Sequence, residues 1–450
     1  MAVNSISLAA SLKQLSATLL NLARNPSLPL LFFSAKANMP RLCAAILRAC
    51  MQRISANRVA SAEETCMLVL SKSVFIEDAI SIAKRIDNAV LFLLGRTHLH
   101  FVAKAFFKKG TDDNNYHDMV DERLVNRYRE FLTALWRHLN AKLGVKCTLS
   151  GNFSYFEERE LAYVLEAAGV PFVAVHKECL KTPGRIEGYE SLYRSNKGPF
   201  WGSRILVYND IERDLIIRTS VASADKVAVV GMPRLDEMHR ARTSPVGEAA
   251  KQVLLISFHK DLNTLESEDA QTPCLDAIWE SVHLAMYELA EKRPEVQVTI
   301  KTKGDKKDIA WIADLAQRRN LNLSLLNFRV IHGGEIRNLL IGAKVVCGVH
   351  STALLEALAA NKPVVVPEYE ELADRANERH LVDFGGTVTR ADSKASLMAL
   401  LNAELDAPPQ SAELPEETRA LLKFWLGNDD GHASERAARE ITGLIGKAKQ

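Results

Sequence analysis

The chain is poor in the residues that build cross-links and metal centres. Its seven cysteines are scattered at 43, 50, 66, 147, 179, 274 and 347, an odd number with no C-x-x-C pair. Neither disulfides nor a structural zinc are expected, and a reducing cytoplasm is the compartment that fits. No His or Cys/His set has metal-ligand spacing, and Asp112–Asp113 sits in a loop with no strand before it, so no required metal is expected. G-x-G-x-x-G and G-x-x-x-x-G-K-[ST] are absent, which leaves nicotinamide and P-loop chemistry unsupported. No run approaches the roughly 18 continuous apolar residues of a membrane-spanning helix. A basic segment followed by a long apolar core is missing from the N-terminus, so no secretory leader is expected. With a net charge of +2 and no nucleic-acid-binding pattern, nucleic acid is not the main partner.

Acidic residues are missing from one place in particular. Lys13, Arg24, Lys36, Arg41, Arg48, Arg53 and Arg58 all precede the first acid, Glu63. Leu12, Leu15, Leu19 and Leu22 recur at helical spacing, as do Leu42, Ile46 and Met51. Residues 1–60 therefore read as a basic helical segment. One reading is a pair of amphipathic helices packed on a domain. The other is a surface that meets anionic lipid or a lipid-linked acceptor, peripheral on the inner membrane.

What the chain does contain is ordinary for a globular protein: 47% apolar and 25% charged residues over 450 positions, enough for roughly two or three domains. From Cys66 onward strands and helices alternate. Strands are expected at Met67–Leu70, Val90–Leu94, Cys147–Ser150, Phe172–His176, Ile205–Tyr208 and Val227–Val230. Helices are expected at Ile76–Ile86, Asp118–Leu143, Phe156–Ala168 and Ile211–Ser220. Lys181–Phe200, with three glycines and two prolines, reads as a long surface loop. Met238–Ala249 reads as a linker. A second series then places strands at Val253–Ser257, Val296–Lys301, Leu323–Leu326, Val345–Val349 and Val364–Val366. Its helices are Cys274–Lys292, Ile309–Arg319, Glu335–Ile341, Thr352–Ala360 and Glu370–Arg379. The expected domains are 61–240 and 250–415, followed by terminal helices in 416–450. Alternation of this kind means α/β architecture: two Rossmann-like domains whose parallel sheets face a cleft.

The stretch Lys344–Glu368 is the most informative. A β-branched strand runs into Ser351 and Thr352, then a helix, then a second β-branched strand: a βαβ unit with parallel strands. A helix that starts right after a buried strand points its first N–H groups and positive dipole end at the sheet's carboxyl edge, which suits a phosphate. Elsewhere, Pro233 stiffens the turn in GMPRLD (231–236), where Arg234 can clamp an anion and Asp236 can act as base or nucleophile. His176, Lys177 and Glu178 emerge at the end of the strand Phe172–His176. His259 and Lys260 close one strand of the second series, and Lys301 and Lys303 close the next, two apart and so on one side.

GVHSTALLEA, with Lys362, Pro363 and Pro367, resembles the nucleotide-binding unit of GT-B glycosyltransferases of bacterial capsule and surface polysaccharide. GMPRLD and GNFSYFEE…VAVHKE (151–178) are similar to segments of surface-carbohydrate transferases. The resemblance covers roughly residues 146–380 and is closest to the retaining β-Kdo transferases, which use CMP-Kdo. It implies the following roles. Ser351 and Thr352 contact the donor phosphates, with His350, Lys301 and Lys303 alongside, and Glu356 faces the ribose or base. His259 meets the donor, while Arg234, Asn152, His176 and Lys177 bind substrate. Asp236 is the nucleophile of a double displacement and Glu178 the acid/base, with Glu158 a second candidate. No cofactor is implied beyond the nucleotide-sugar donor; the other partner is a saccharide acceptor, free or lipid-linked.

Related transferases carry K-x-H-P where this chain has Lys303–Gly304, so the donor class stays open. The alternatives are a CDP-glycerol or UDP-sugar transferase, a UDP-sugar 2-epimerase, and a non-catalytic scaffold of the same fold.

Overall fold

The computed structural model describes residues 26–56, 63–71, 73–195, 198–243, 251–260, 275–303, 306–334, 336–369, 380–408 and 413–447. Two sheets organise it. The first has strands β1 (Gln52–Ser55), β2 (Thr65–Ser71), β3 (Ala89–Gly95), β4 (Val145–Ser150), β5 (Phe172–His176), β6 (Arg204–Val207) and β7 (Val227–Val229), in the order β1-β3-β2-β4-β5-β6-β7. Pairs β2/β3, β2/β4 and β4/β5 are parallel, and β1 is an antiparallel edge on β3. The second sheet has β8 (Gln252–Ile256), β9 (Gln297–Thr302), β10 (Phe328–His332), β11 (Val345–Cys347), β12 (Val364–Pro367) and β13 (Thr389–Ala391), in the order β10-β9-β8-β11-β12-β13. Every pair in it is parallel. The fold is α/β, with two Rossmann-like parallel sheets. Strands such as Phe172–His176 and Val364–Pro367 are buried at every position, as central parallel strands must be.

The chain packs into two compact units. One is residues 1–176, 195–205 and 438–450; the other is 177–194 and 206–437. These bounds differ from the 61–240 and 250–415 drawn from the two alternating series of strands and helices, which follow the change of sheet between β7 and β8.

Four sequence expectations meet a different structure. Lys181–Phe200 is not a loop: Pro183–Ser195 is a helix. Its glycines hid a buried anchor, since Tyr193 is 5% exposed and donates its hydroxyl to Glu212 at 2.6 Å. Part of the expected linker, Met238 to Thr243, continues the helix Leu235–Thr243, with Met238 and His239 buried. Leu323–Leu326 is not a strand; β10 lies five residues later, and Leu326 is fully exposed. The helix Pro40–Cys50 buries Cys43, Ala44 and Leu47, whereas Leu42 is exposed and Met51 lies past its end. The strand β1, the helix Arg96–Ala103 and the helix Lys394–Asp406 were not expected at all. The leucines at 12–22 and the helix expected at 370–379 lie outside the described residues.

Candidate functional site

In the second unit, β11 and the helix Thr352–Ala359 form the expected strand–cap–helix unit. Ser351 is the N-cap: its backbone is extended and its hydroxyl accepts the N–H of Ala353 at 3.2 Å. His350, one residue earlier, accepts the N–H of Val382 on Nδ1 at 3.1 Å, which leaves the ring proton on Nε2. Burial, helped by the charges of Arg185 and Lys303, holds His350 down to about 3, so its ring is neutral at physiological pH. It can donate one hydrogen bond there and carries no charge to a phosphate.

Beside this turn lies a cavity of about 760 Å³, within the roughly 300–1,000 Å³ of small-molecule sites. Val349 and Val366, just past β11 and near the end of β12, bring the sheet's carboxyl edge into its wall. Phe384, Phe424 and Trp425 supply aromatic surface, and Lys181, Arg390, Glu368 and Asp383 supply charge. Apolar walls with a few polar groups are the usual makeup of a ligand pocket. Glu368 accepts from Arg390 in a 2.7 Å ion pair. Lys181 is 1% exposed and stands 3.0 Å from the Glu212 carboxylate, with its ammonium 3.7 Å from the Tyr189 ring centroid. These cavity residues were missed in the sequence. Glu368 was within reach, because it directly follows Pro367 at a parallel strand's carboxyl end. Lys181 was hidden by the loop assignment.

Arg234 and Glu356 do meet, in an ion pair of 3.0 Å with side chains only 8% and 5% exposed. Arg234 also donates to the Tyr208 hydroxyl at 3.2 Å. A buried guanidinium and carboxylate that satisfy each other join two segments and hold each other's charge.

Asp236 is fully buried and its carboxylate is saturated. It accepts from Asn428 Nδ2 at 2.7 Å, from the N–H groups of Ala433 and Ser434 at 3.0 and 2.9 Å, and from the Ser434 hydroxyl. It caps the helix Ala433–Lys447 from a distant point in sequence, at the end where an anion is favoured. The rest of GMPRLD is tied to the same place. Met232 donates its N–H to Leu426 O at 2.9 Å, and Asn428 donates to Met232 O at 3.0 Å. Gly231 and Gly427 both have positive φ, and a Cβ on Gly427 would stand 1.7 Å from Tyr208 O. Only glycine fits there.

The remaining residues do not gather at one point. The Glu178 side chain is 47% exposed, 4.0 Å from the Lys177 ammonium. Lys301 is buried and donates to Thr302 O at 3.0 Å, and burial lowers its pKa. Lys303 lies past the end of β9 and is exposed, so the two lysines do not share one environment. His259 stands 3.7 Å from Asp308 and edge-on to Trp311, while Lys260 pairs with Asp276 at 3.0 Å.

In the first unit, Asn152 shapes a turn, accepting the N–H and hydroxyl of Ser154 at 3.1 Å each. His176 is 2% exposed and its ring lies 4.6 Å from that of Phe153. Glu158 is 3% exposed; one oxygen bonds Ser150 Oγ and the other has no hydrogen-bond partner. Burial raises its pKa well above the carboxylate range, with the neighbouring Glu157 adding to the rise. Ser150 Oγ sits between two acceptors, the Glu158 carboxyl and Asn152 O, the latter at 2.9 Å. Glu157 is held by Arg96, which also bonds Asp113 at 2.9 Å.

No protein-family model matches the chain, and no curated protein matches it in sequence. Solved structures do resemble it. The putative UDP-N-acetylglucosamine 2-epimerase of Listeria monocytogenes is 10% identical with a TM-score of 0.50, over 86% of this chain and 98% of that one. The UDP-GlcNAc 2-epimerase of Neisseria meningitidis, bound to UDP-GlcNAc, is 13% identical with a TM-score of 0.46, over 86% and 100%. The α,α-trehalose 6-phosphate synthase of Burkholderia multivorans is 13% identical with a TM-score of 0.44, over 86% and 98%. At these identities the likeness concerns the fold. It is GT-B-like.

Proposed function

We propose that the chain is a nucleotide-sugar-dependent glycosyltransferase that holds its donor at the carboxyl edge of the second sheet. The observation that carries this reading is the cavity beside the Ser351-capped helix, lined by aromatic rings and by Lys181, Glu368, Asp383 and Arg390. In this reading the helix N-terminus and Arg390 receive the donor phosphate, while Glu368 or Asp383 accepts from sugar hydroxyls. Bond cleavage sends the anomeric C–O electron pair onto the phosphate oxygen. The acceptor hydroxyl attacks the anomeric carbon, and its proton passes to a carboxylate. Glu178 is the proposed base, because its exposed side chain is open to an acceptor hydroxyl. Asp236 takes no step: both its oxygens already hold the final helix.

CMP-Kdo is the donor to test first, and that preference rests on the sequence motifs alone. A second reading is epimerisation of a UDP-sugar in the same cavity, in line with the name of the Listeria protein of like fold. Nucleotide release from CMP-Kdo, CDP-glycerol and UDP-GlcNAc, with and without saccharide acceptor, tests both. Transfer predicts release that requires acceptor and persists in EDTA. Isomerised sugar without acceptor favours epimerisation, and no turnover of any donor defeats the enzymatic reading.

A further inference from the structure

The solvent side of the two N-terminal helices has an unusual makeup. The helices Ser27–Lys36 and Pro40–Cys50 are joined by a tight turn at Asn38, whose φ is +54°. Their inner face is settled, with Leu28, Leu31, Ser34 and Ala35 buried on one helix and Cys43, Ala44 and Leu47 on the other. Their outer face carries Leu30 at 56% exposure, Phe33 at 65%, Met39 at 49% and Leu42 at 45%. These are four of the ten large hydrophobic side chains exposed among the described residues, gathered in thirteen positions. A soluble helix normally turns charges of both signs outward. Here the charged residues on that side are Arg41 and Arg48, with no acid in either helix, while Lys36 reaches back to Ala105 O at 3.5 Å. Arg53, further on, is already paired with Glu64 at 2.6 Å.

We propose that this outer face docks on an anionic lipid bilayer. Exposed apolar side chains flanked by unopposed cations suit that occupant, since rings and leucines enter the acyl boundary while arginines meet lipid phosphates. A protein partner would have to be both apolar and acidic across one small face. No helix among the described residues is long and apolar enough to cross a membrane, so the contact lies along the surface. Leu30 and Phe33 stand one turn apart, and Ala45 and Ala49 extend the exposed apolar stripe from Leu42.

The test is co-sedimentation of the full chain with vesicles of phosphatidylcholine alone, or with one-third phosphatidylglycerol, at low and high salt. Binding is expected to the anionic vesicles only and to weaken with salt. Arg41→Gln with Arg48→Gln should weaken partition roughly thirty-fold, from about 1 kcal/mol per cation near the surface. Leu30→Ser with Phe33→Ser should weaken it at least roughly a hundred-fold. Thermal unfolding of both pairs should match the unaltered chain, because all four side chains face solvent. Three results overturn the proposal: no sedimentation at low salt, sedimentation that neither pair of changes reduces, or concentration-dependent dimerisation that the leucine and phenylalanine changes abolish.

Discussion

GMPRLD and the turn at His350–Thr352 look alike in sequence: each follows a strand and offers polar groups suited to an anion. In the structure they are opposites. Both carboxylate oxygens of Asp236 are spent on Asn428, Ala433 and Ser434, and Arg234 is spent on Glu356 and Tyr208. The turn at His350–Thr352 has one bond to Val382 and one cap, and both Val382 and the preceding Val349 line a cavity. The difference teaches that a strand-end acid is assigned by what already occupies its oxygens. A saturated buried carboxylate is a structural tie.

The largest effect should come from breaking that tie. Asp236→Ala leaves buried donors from three residues unmatched and should cost about 3–5 kcal/mol, read as a lower urea midpoint. A nucleophile without a structural role would leave the midpoint unchanged and remove only turnover.

Next in size is Glu356→Ala, which strands the Arg234 guanidinium in a site only 8% exposed. The expected loss is about 3 kcal/mol. If Glu356 serves mainly to bind the donor's ribose, stability would hold and only nucleotide affinity would fall.

A smaller effect sharpens the same contrast in the first unit. Burial raises the Glu158 pKa and so favours its neutral form in the folded chain; Glu158→Gln, a neutral group of the same shape, should therefore change stability at pH 7 by less than about 1 kcal/mol. The sign of its pH dependence follows from the raised pKa. The folded state holds a proton that the unfolded state releases, so this contribution is full below about 4.5 and is lost as pH rises through the folded value. The glutamine variant should lack that alkaline-side loss. His283 works in the opposite sense. Burial lowers it to about 4, so its contribution is full above about 6.5 and falls as pH drops toward 4.

Much of the fold was legible because parallel strands are short β-branched runs and helices carry an apolar stripe. Val364–Val366 and Phe172–His176 needed little more. The edge strand Gln52–Ser55, with a mostly exposed QRIS sequence, gave no such signal. Pro183–Ser195 was misread because Gly184 and Gly188 suggest a loop, while its anchor, Tyr193 on Glu212, is a contact with another segment. The helix N-cap at Ser351 was readable from local sequence. The fate of Asp236 was not, since its partners lie nearly two hundred residues away.

The account's central claim is that a nucleotide binds beside the Ser351-capped helix. Titration calorimetry with CMP, CDP and UDP, on the unaltered chain and on Thr352→Glu, tests it most directly. Thr352 opens the helix, so a carboxylate there would repel an incoming phosphate while leaving the helix favoured. The account predicts that at least one nucleotide binds the unaltered chain, and that Thr352→Glu weakens it at least roughly tenfold with an unchanged unfolding midpoint. Binding of equal strength to both proteins, or no binding to either, would contradict it.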